Sequence, residues 1–257
     1  MEFLRQSRRR SLLSEIVYIA LNLLVAIGIF AVVYFVGSPF AAFGIVLLSK
    51  WRVLAVRPQY WGANVMANLV DMIVGLSFVV LLSAAAGQVV LQVVFTVLYV
   101  AWLLFLKPQS KRVYVIWQAG IGLFIGTAAL LQVSYDWWSS IVVVARWLIG
   151  YSTARHALGA YREPHTQLLS LVWGLIVAEL GWIAYHWTLA YQLPFAENVM
   201  IAQMSLIIIF LGFLAERTYA SYHKHEKVLF ADIILPLLLT VSSVVLLLTL
   251  FGGGQTI

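Results

Sequence analysis

The sequence predicts an all-α polytopic integral membrane protein of nine transmembrane helices, with a cytoplasmic N-terminus and a C-terminus outside. Three observations carry that expectation. The 257 residues are 63% hydrophobic and only 10% charged, with a mean hydropathy of +0.96, a composition foreign to soluble globular domains. Apolar runs approach the roughly 20 residues needed to cross about 30 Å of hydrocarbon and follow one another almost without a break. Laid out as nine crossings, the chain places all of its sixteen Lys and Arg residues except Arg146 on one side, as retention of basic loops in the cytoplasm requires.

The crossings fall at 14–36, 39–56, 62–86, 88–106, 113–133, 137–155, 166–191, 197–216 and 229–251. The first is apolar from Ile16 to Val36, longer than the roughly 7–15 apolar residues of a cleaved signal peptide. It reads as a retained helix anchored by Arg5, Arg8, Arg9 and Arg10. The second starts at Pro39 and is expected to span by letting Lys50 and Arg52 snorkel along the lipid surface. A re-entrant hairpin there would put everything after Arg57 on the wrong side. The third carries Asn64, Asn68, Asp71 and Gly75 within an arc of about 60°, and the fourth ends at Lys107. The fifth follows Lys111 and Arg112 and holds Gln118 and the close-packing pair Gly122 and Gly126. The sixth runs from Trp137 and Trp138 to Arg155 and aligns Ser139, Arg146, Gly150 and Thr153 on one face. The seventh holds Glu179 and His186, the eighth ends before Arg217, and the ninth contains Asp232 and a kinking Pro236.

The stretches between crossings support the count. Inner ones also hold Arg162, Lys224 and Lys227, whereas the outer ones hold no Lys or Arg but do hold Asp136 and Glu197. Trp51, Tyr60, Trp61, Trp137, Trp138, Tyr191 and Tyr222 fall where interfacial aromatic belts form. The chain divides into a basic cytoplasmic segment (1–13), one transmembrane domain (14–252) and a short outer tail (253–257).

An ionised side chain within the bilayer is costly, about 2.5–3.5 kcal/mol by insertion measurements, so each one needs a partner or a role. Arg146 lies midway along the sixth crossing and Glu179 midway along the seventh. Antiparallel neighbours on a short loop pack together, so an Arg146–Glu179 ion pair is expected. His186 lies seven residues beyond Glu179 on the same face, roughly 10 Å further out. Asp71 with Asn64 and Asn68 forms either an interhelical hydrogen-bond seam or the inner half of a hydrophilic path. Arg155, Arg162 and Arg217 are candidate contacts for anionic lipid. The neighbouring His156, Glu163, His165, His223 and His225 show no recognised metal-ligand spacing, and no metal or cofactor is expected.

The sequence has no cysteine, so disulfides and thiolate chemistry are excluded. It has no Walker loop, GxSxG, HExxH or paired-aspartate motif, and the last two crossings hold no lysine for a retinal Schiff base. The net charge of +6 is explained by cytoplasmic loops and does not imply nucleic acid. Three functions remain. The first is a transporter or channel-like protein of the cell membrane with a polar path through Asp71, Arg146, Glu179 and His186. The second is a structural or assembly subunit whose buried pair holds helices together beside a protein partner. The third is a lipid-modifying enzyme using Trp147, Trp173, Trp182 and Trp187 on its surface, which lacks an identifiable nucleophile or acid–base pair.

Overall fold

A backbone in hydrocarbon must satisfy its own N–H and C=O groups, which leaves this apolar chain the α-helix as its main element. The computed structural model describes residues 12–186, 189–193, 196–249 and 255–256. The helices are α1 (Leu12–Val36), α2 (Pro39–Ser49), α3 (Trp51–Leu54), α4 (Trp61–Ala84), α5 (Val89–Ala101), α6 (Arg112–Val133), α7 (Ser139–Tyr161), α8 (Thr166–His186), α9 (Gln203–His225) and α10 (Phe230–Thr249). A π-helical turn, Trp102–Leu106, prolongs α5. The all-α class is as expected. Seven elements are long and apolar enough to cross a membrane: α1, α4, α5 with its π turn, α6, α8, α9 and α10. Arg5, Arg8, Arg9, Arg10, Trp187 and the tail after Thr249, apart from Gln255–Thr256, lie outside the described residues.

Two of the nine expected crossings are not among those seven, for different reasons. The 39–56 segment is not one helix. Its first part, α2, has 11 residues, about 16 Å at 1.5 Å per residue, and the chain leaves helical geometry at Lys50 before α3 begins. Lys50 does not snorkel along lipid but is 8% exposed and ion-paired with Asp71. The cause is packing: α2 buries Ala42 and Val46 against its neighbours, and Lys50, one turn beyond Val46, follows on that same buried side. Gly75 permits this approach, since a Cβ there would lie 2.9 Å from Val46 Cγ1 and 3.1 Å from the Tyr99 hydroxyl.

The other is α7, whose 23 residues are long enough but too polar. It buries Arg146, Gly150, Ser152 and Thr153 inside the bundle, while Ile141, Val144 and Leu148 form its exposed strip. A helix flanked by protein on one side needs apolar residues only where it meets lipid.

The expected crossings at 166–191 and 197–216 also shift. Helix α8 is described as far as His186, and beyond it β1 (Leu189–Leu193) pairs antiparallel with β2 (Ala196–Ala202), with β3 (Gln255–Thr256) on the other edge of β1. Strand pairing satisfies the backbone of these segments. Val199 packs with Ala85 under these strands, and Gln203 ties α9 to Leu247 O of α10 at 2.6 Å. Starting later, α9 runs on past Arg217 to His225.

Packing has two centres. One joins α1, α2, α4 and α5 around Ile29, Val46, Val74, Tyr99 and Leu103, and the other joins α6 to α9 around Leu123, Ile149, Val177 and Ile208. Helix α6 wedges between them. A Cβ on Gly122 would lie 2.9 Å from Val70 Cγ1, and one on Gly126 would lie 2.8 Å from Ile73 Cγ2 and 3.2 Å from Ile149 Cγ2, so these glycines let α6 touch α4 and α7 together.

Candidate functional site

Asp71 of α4 is the hub of a polar cluster at the end of the bundle that carries the basic loops. Its Oδ2 takes the Lys50 ammonium and the Lys107 ammonium, the latter at 2.9 Å, and its Oδ1 accepts the Trp102 indole N–H at 3.1 Å. The π turn makes this convergence feasible. Residues five apart diverge by about 140° around an α-helix, and a wider turn reduces that divergence. Here Lys107 N–H bonds to Trp102 O at 2.9 Å, bringing both side chains to one carboxylate. Burial alone would lower the Lys107 pKa, but the Asp71 charge and hydrogen bonding carry it above its ordinary value. One buried ammonium, Lys50, and one half-buried, Lys107, on a single carboxylate leave the cluster net positive. Removing the central partner of such a set costs about 3–5 kcal/mol, because it strands the remaining charges.

Gln118 of α6 closes the neighbouring loop by donating Nε2–H to Leu106 O at 2.6 Å and Gln109 O at 3.1 Å. Its Oε1 is therefore an acceptor, and it lies 2.8 Å from His156 Nε2, which fixes the ring hydrogen on Nε2. Asn68 donates to Asn64 O at 2.8 Å, and Asn64 reaches Val53 O at 3.4 Å. These groups surround a cleft of about 140 Å³ between α4, α6 and α7, lined by Asn68, Asp71, Trp102, Lys107, Gln118 and His156. It continues past Ala67 and His156 into a wider recess of about 360 Å³ beside Ser110, Arg155 and Gly159.

Arg146 is fully enclosed and is not paired with Glu179. Its Nη1 donates to Gly181 O on α8, while Nε and Nη2 have no hydrogen-bond partner among the described residues. Gly181 is shaped to this side chain, because a Cβ there would overlap Arg146 Cδ and sit 3.1 Å from Nε. Gly150 and Gly174 bring the helices together in the same way: a Cβ on Gly150 would be 2.7 Å from Val177 Cβ, and one on Gly174 would be 3.1 Å from Trp147 O. Glu179 has the depth expected of it but the wrong azimuth. Two residues subtend about 200° on an α-helix, so with Gly181 inward Glu179 faces outward, where it is exposed and has no ion pair among the described residues. His186 is exposed on the same side and packs edge-on against Trp182 and Tyr185.

The basic loops meet α9 through hydroxyl–carboxylate contacts. Tyr161 donates to Glu216 Oε1 at 2.6 Å, and Tyr219 donates to Glu163 Oε2. The Tyr219 hydroxyl, helped by the His165 N–H at 3.0 Å, holds the Glu163 carboxyl below its usual range. His223 packs on the Tyr161 ring, and His225 lies 3.4 Å from Asp232. Among the described residues no three His, Cys, Asp or Glu side chains gather as metal ligands. The three arginines considered for lipid contact diverge. Arg155 lines the recess and donates to Tyr151 at 2.6 Å, Arg162 is the exposed left-handed cap of α7, and Arg217 covers the Phe213 ring.

Sequence reasoning placed Asp71, Asn64 and Asn68 on one face but missed Lys50, Trp102, Lys107, Gln118 and His156 as their neighbours. The available signal was Lys50 itself, only eleven residues after Pro39 and too deep for a lipid-facing lysine. The fold and its buried charges define an all-α protein of the helical membrane class. No family model, no curated protein and no solved structure matches the chain.

Proposed function

We propose that the chain is an assembly subunit of a membrane complex, crossing the cell membrane nine times with its N-terminus in the cytoplasm, and that it docks a partner helix on the outward face of α8. One observation carries this reading: Glu179 stands exposed at mid-helix among Val172, Leu175, Ile176, Trp182 and Ile183. A carboxylate facing lipid at that depth is unfavourable by an amount that a hydrogen-bond donor or cation on a neighbour offsets. A second copy in the same orientation brings no cation there, because Arg146 alone has that depth and is enclosed. The partner we propose is a different protein with a basic side chain in its helix.

The topology rests on the one-sided distribution of Lys and Arg, with the broken α2–α3 segment and the polar α7 counted as crossings. The transport reading needs a route through Asp71, Arg146, Glu179 and His186, and it is less well supported because Glu179 and His186 stand on the far side of α8 from Gly181. A photocrosslinking residue at Leu175 or Ile183, activated in native membranes, tests the assembly reading. The expected result is a discrete heteromeric adduct that Glu179→Gln weakens and that the same probe at Leu24 on α1 does not give. Adducts of twice the chain's own mass, or lipid adducts alone, overturn it.

A further inference from the structure

We infer that the cleft between α4, α6 and α7 is a binding site for a phosphoryl oxyanion, carried by a lipid headgroup or by a soluble phosphate. Donors, acceptors and charge in the cleft carry this assignment, independently of Glu179 and its partner.

Asp71 is the one carboxylate among the lining residues. Three donors already occupy it, from Lys50, Lys107 and Trp102, so it has little capacity left for a cation or a neutral donor. Gln118 is likewise spent: both its amide hydrogens go to backbone carbonyls and its oxygen to His156. The donors are in surplus. An ammonium has three N–H groups, and Lys107, whose side chain is 30% exposed, uses one on Asp71. A guanidinium has five; Arg155 uses one on Tyr151 and has no carboxylate partner among the described residues. Ser110 adds a hydroxyl at the mouth.

Among the lining residues Lys107 and Arg155 stand against Asp71 alone, and Asp71 is already paired with Lys50 behind it, so the lining carries uncompensated positive charge. A ligand matching this lining has several oxygen acceptors and negative charge, which describes a phosphate group. The inner cleft of about 140 Å³ has room for several water-sized groups, and a wider recess of about 360 Å³ lies beside it. The opening lies among the basic loops, level with the surface where anionic headgroups and cytosolic phosphates are found.

The test is thermal unfolding and calorimetric titration of the detergent-purified full chain. Inorganic phosphate and short-chain phosphatidic acid are the probes, and chloride at equal ionic strength is the control. One of the two phosphates is expected to raise Tm saturably, and Arg155→Gln is expected to weaken its Kd at least tenfold. Arg162→Gln, exposed outside the cleft, should leave Kd unchanged. Gly159→Leu gives a second approach that spares every charge. Gly159 lines the recess and a Cβ there meets nothing within 4 Å, so a larger side chain has room at the edge of the site; weakened binding is expected, with the Tm of the unliganded variant checking that it folds. Saturation by inorganic phosphate assigns a soluble ligand, and saturation by phosphatidic acid alone assigns a headgroup. No saturable shift with either, or equal responses in wild type, Arg155→Gln and Gly159→Leu, overturns the site.

Discussion

Arg146 and Glu179 share a depth but not a face, and that separates two energetic roles usually merged in an intramembrane ion pair. Arg146 is stabilised by close fit, with Gly181 supplying both the carbonyl it binds and the space its aliphatic stem fills. Glu179 is exposed and forms no ion pair among the described residues. Thermal or denaturant unfolding of the purified chain is therefore expected to show Glu179→Ala within about 0.5 kcal/mol of wild type. Gly181→Ala, which drives a methyl into a buried side chain with no room to retreat, is expected to cost about 1–3 kcal/mol. The reverse ranking would restore the Arg146–Glu179 clamp as the structural centre.

Between helices, specificity comes from where small and polar groups fall, because lipid offers no hydrophobic drive for one apolar helix to choose another. Helices α7 and α8 meet through Gly150, Gly174 and Gly181, α6 meets α4 and α7 through Gly122 and Gly126, and α4 meets α2 and α5 at Gly75. At the basic end, Glu163 fastens the α7–α8 loop to α9 through Tyr219, and this contact depends on pH in a definite direction. Its folded-state pKa lies below the usual value, so its stabilisation is complete above the unfolded glutamate pKa of about 4.3 and is lost as pH falls through the lower folded value. Comparing Tm of wild type and Glu163→Gln from about pH 6 to about pH 3.5, the gap between them is expected to shrink on acidification. A gap that is constant with pH would mean that Glu163 acts only through packing.

At the scale of the whole molecule, the absence of cysteine makes topology directly measurable. Single cysteines at Ser38 and Gln59 bracket the broken α2–α3 segment, and Lys111 and Asp136 bracket α6. With a membrane-impermeant maleimide, cysteines at Ser38 and Asp136 are expected to react from outside, and those at Gln59 and Lys111 only after permeabilisation. Reaction of Ser38 and Gln59 from the same side would make α2 re-entrant and remove the nine-crossing arrangement.

What the sequence determined by itself was a helical membrane protein, the positions of most helices and the residues too polar for lipid. These follow from local composition and from charge, which a linear chain displays in full. Tertiary structure alone decided azimuth and register. It turned Glu179 outward and Gly181 inward, drew Lys50 off the lipid surface onto Asp71, widened one turn so that Trp102 and Lys107 met the same carboxylate, and made Leu189–Leu193 and Ala196–Ala202 paired strands instead of helix ends. Depth is read from residue count along one helix. Azimuth depends on which face a neighbouring helix covers, and that is settled by glycines and side-chain shapes on other segments. The small-residue stripe Gly174, Ala178 and Gly181 was the visible trace of α8's packed face, and a helix can present only one face to one neighbour.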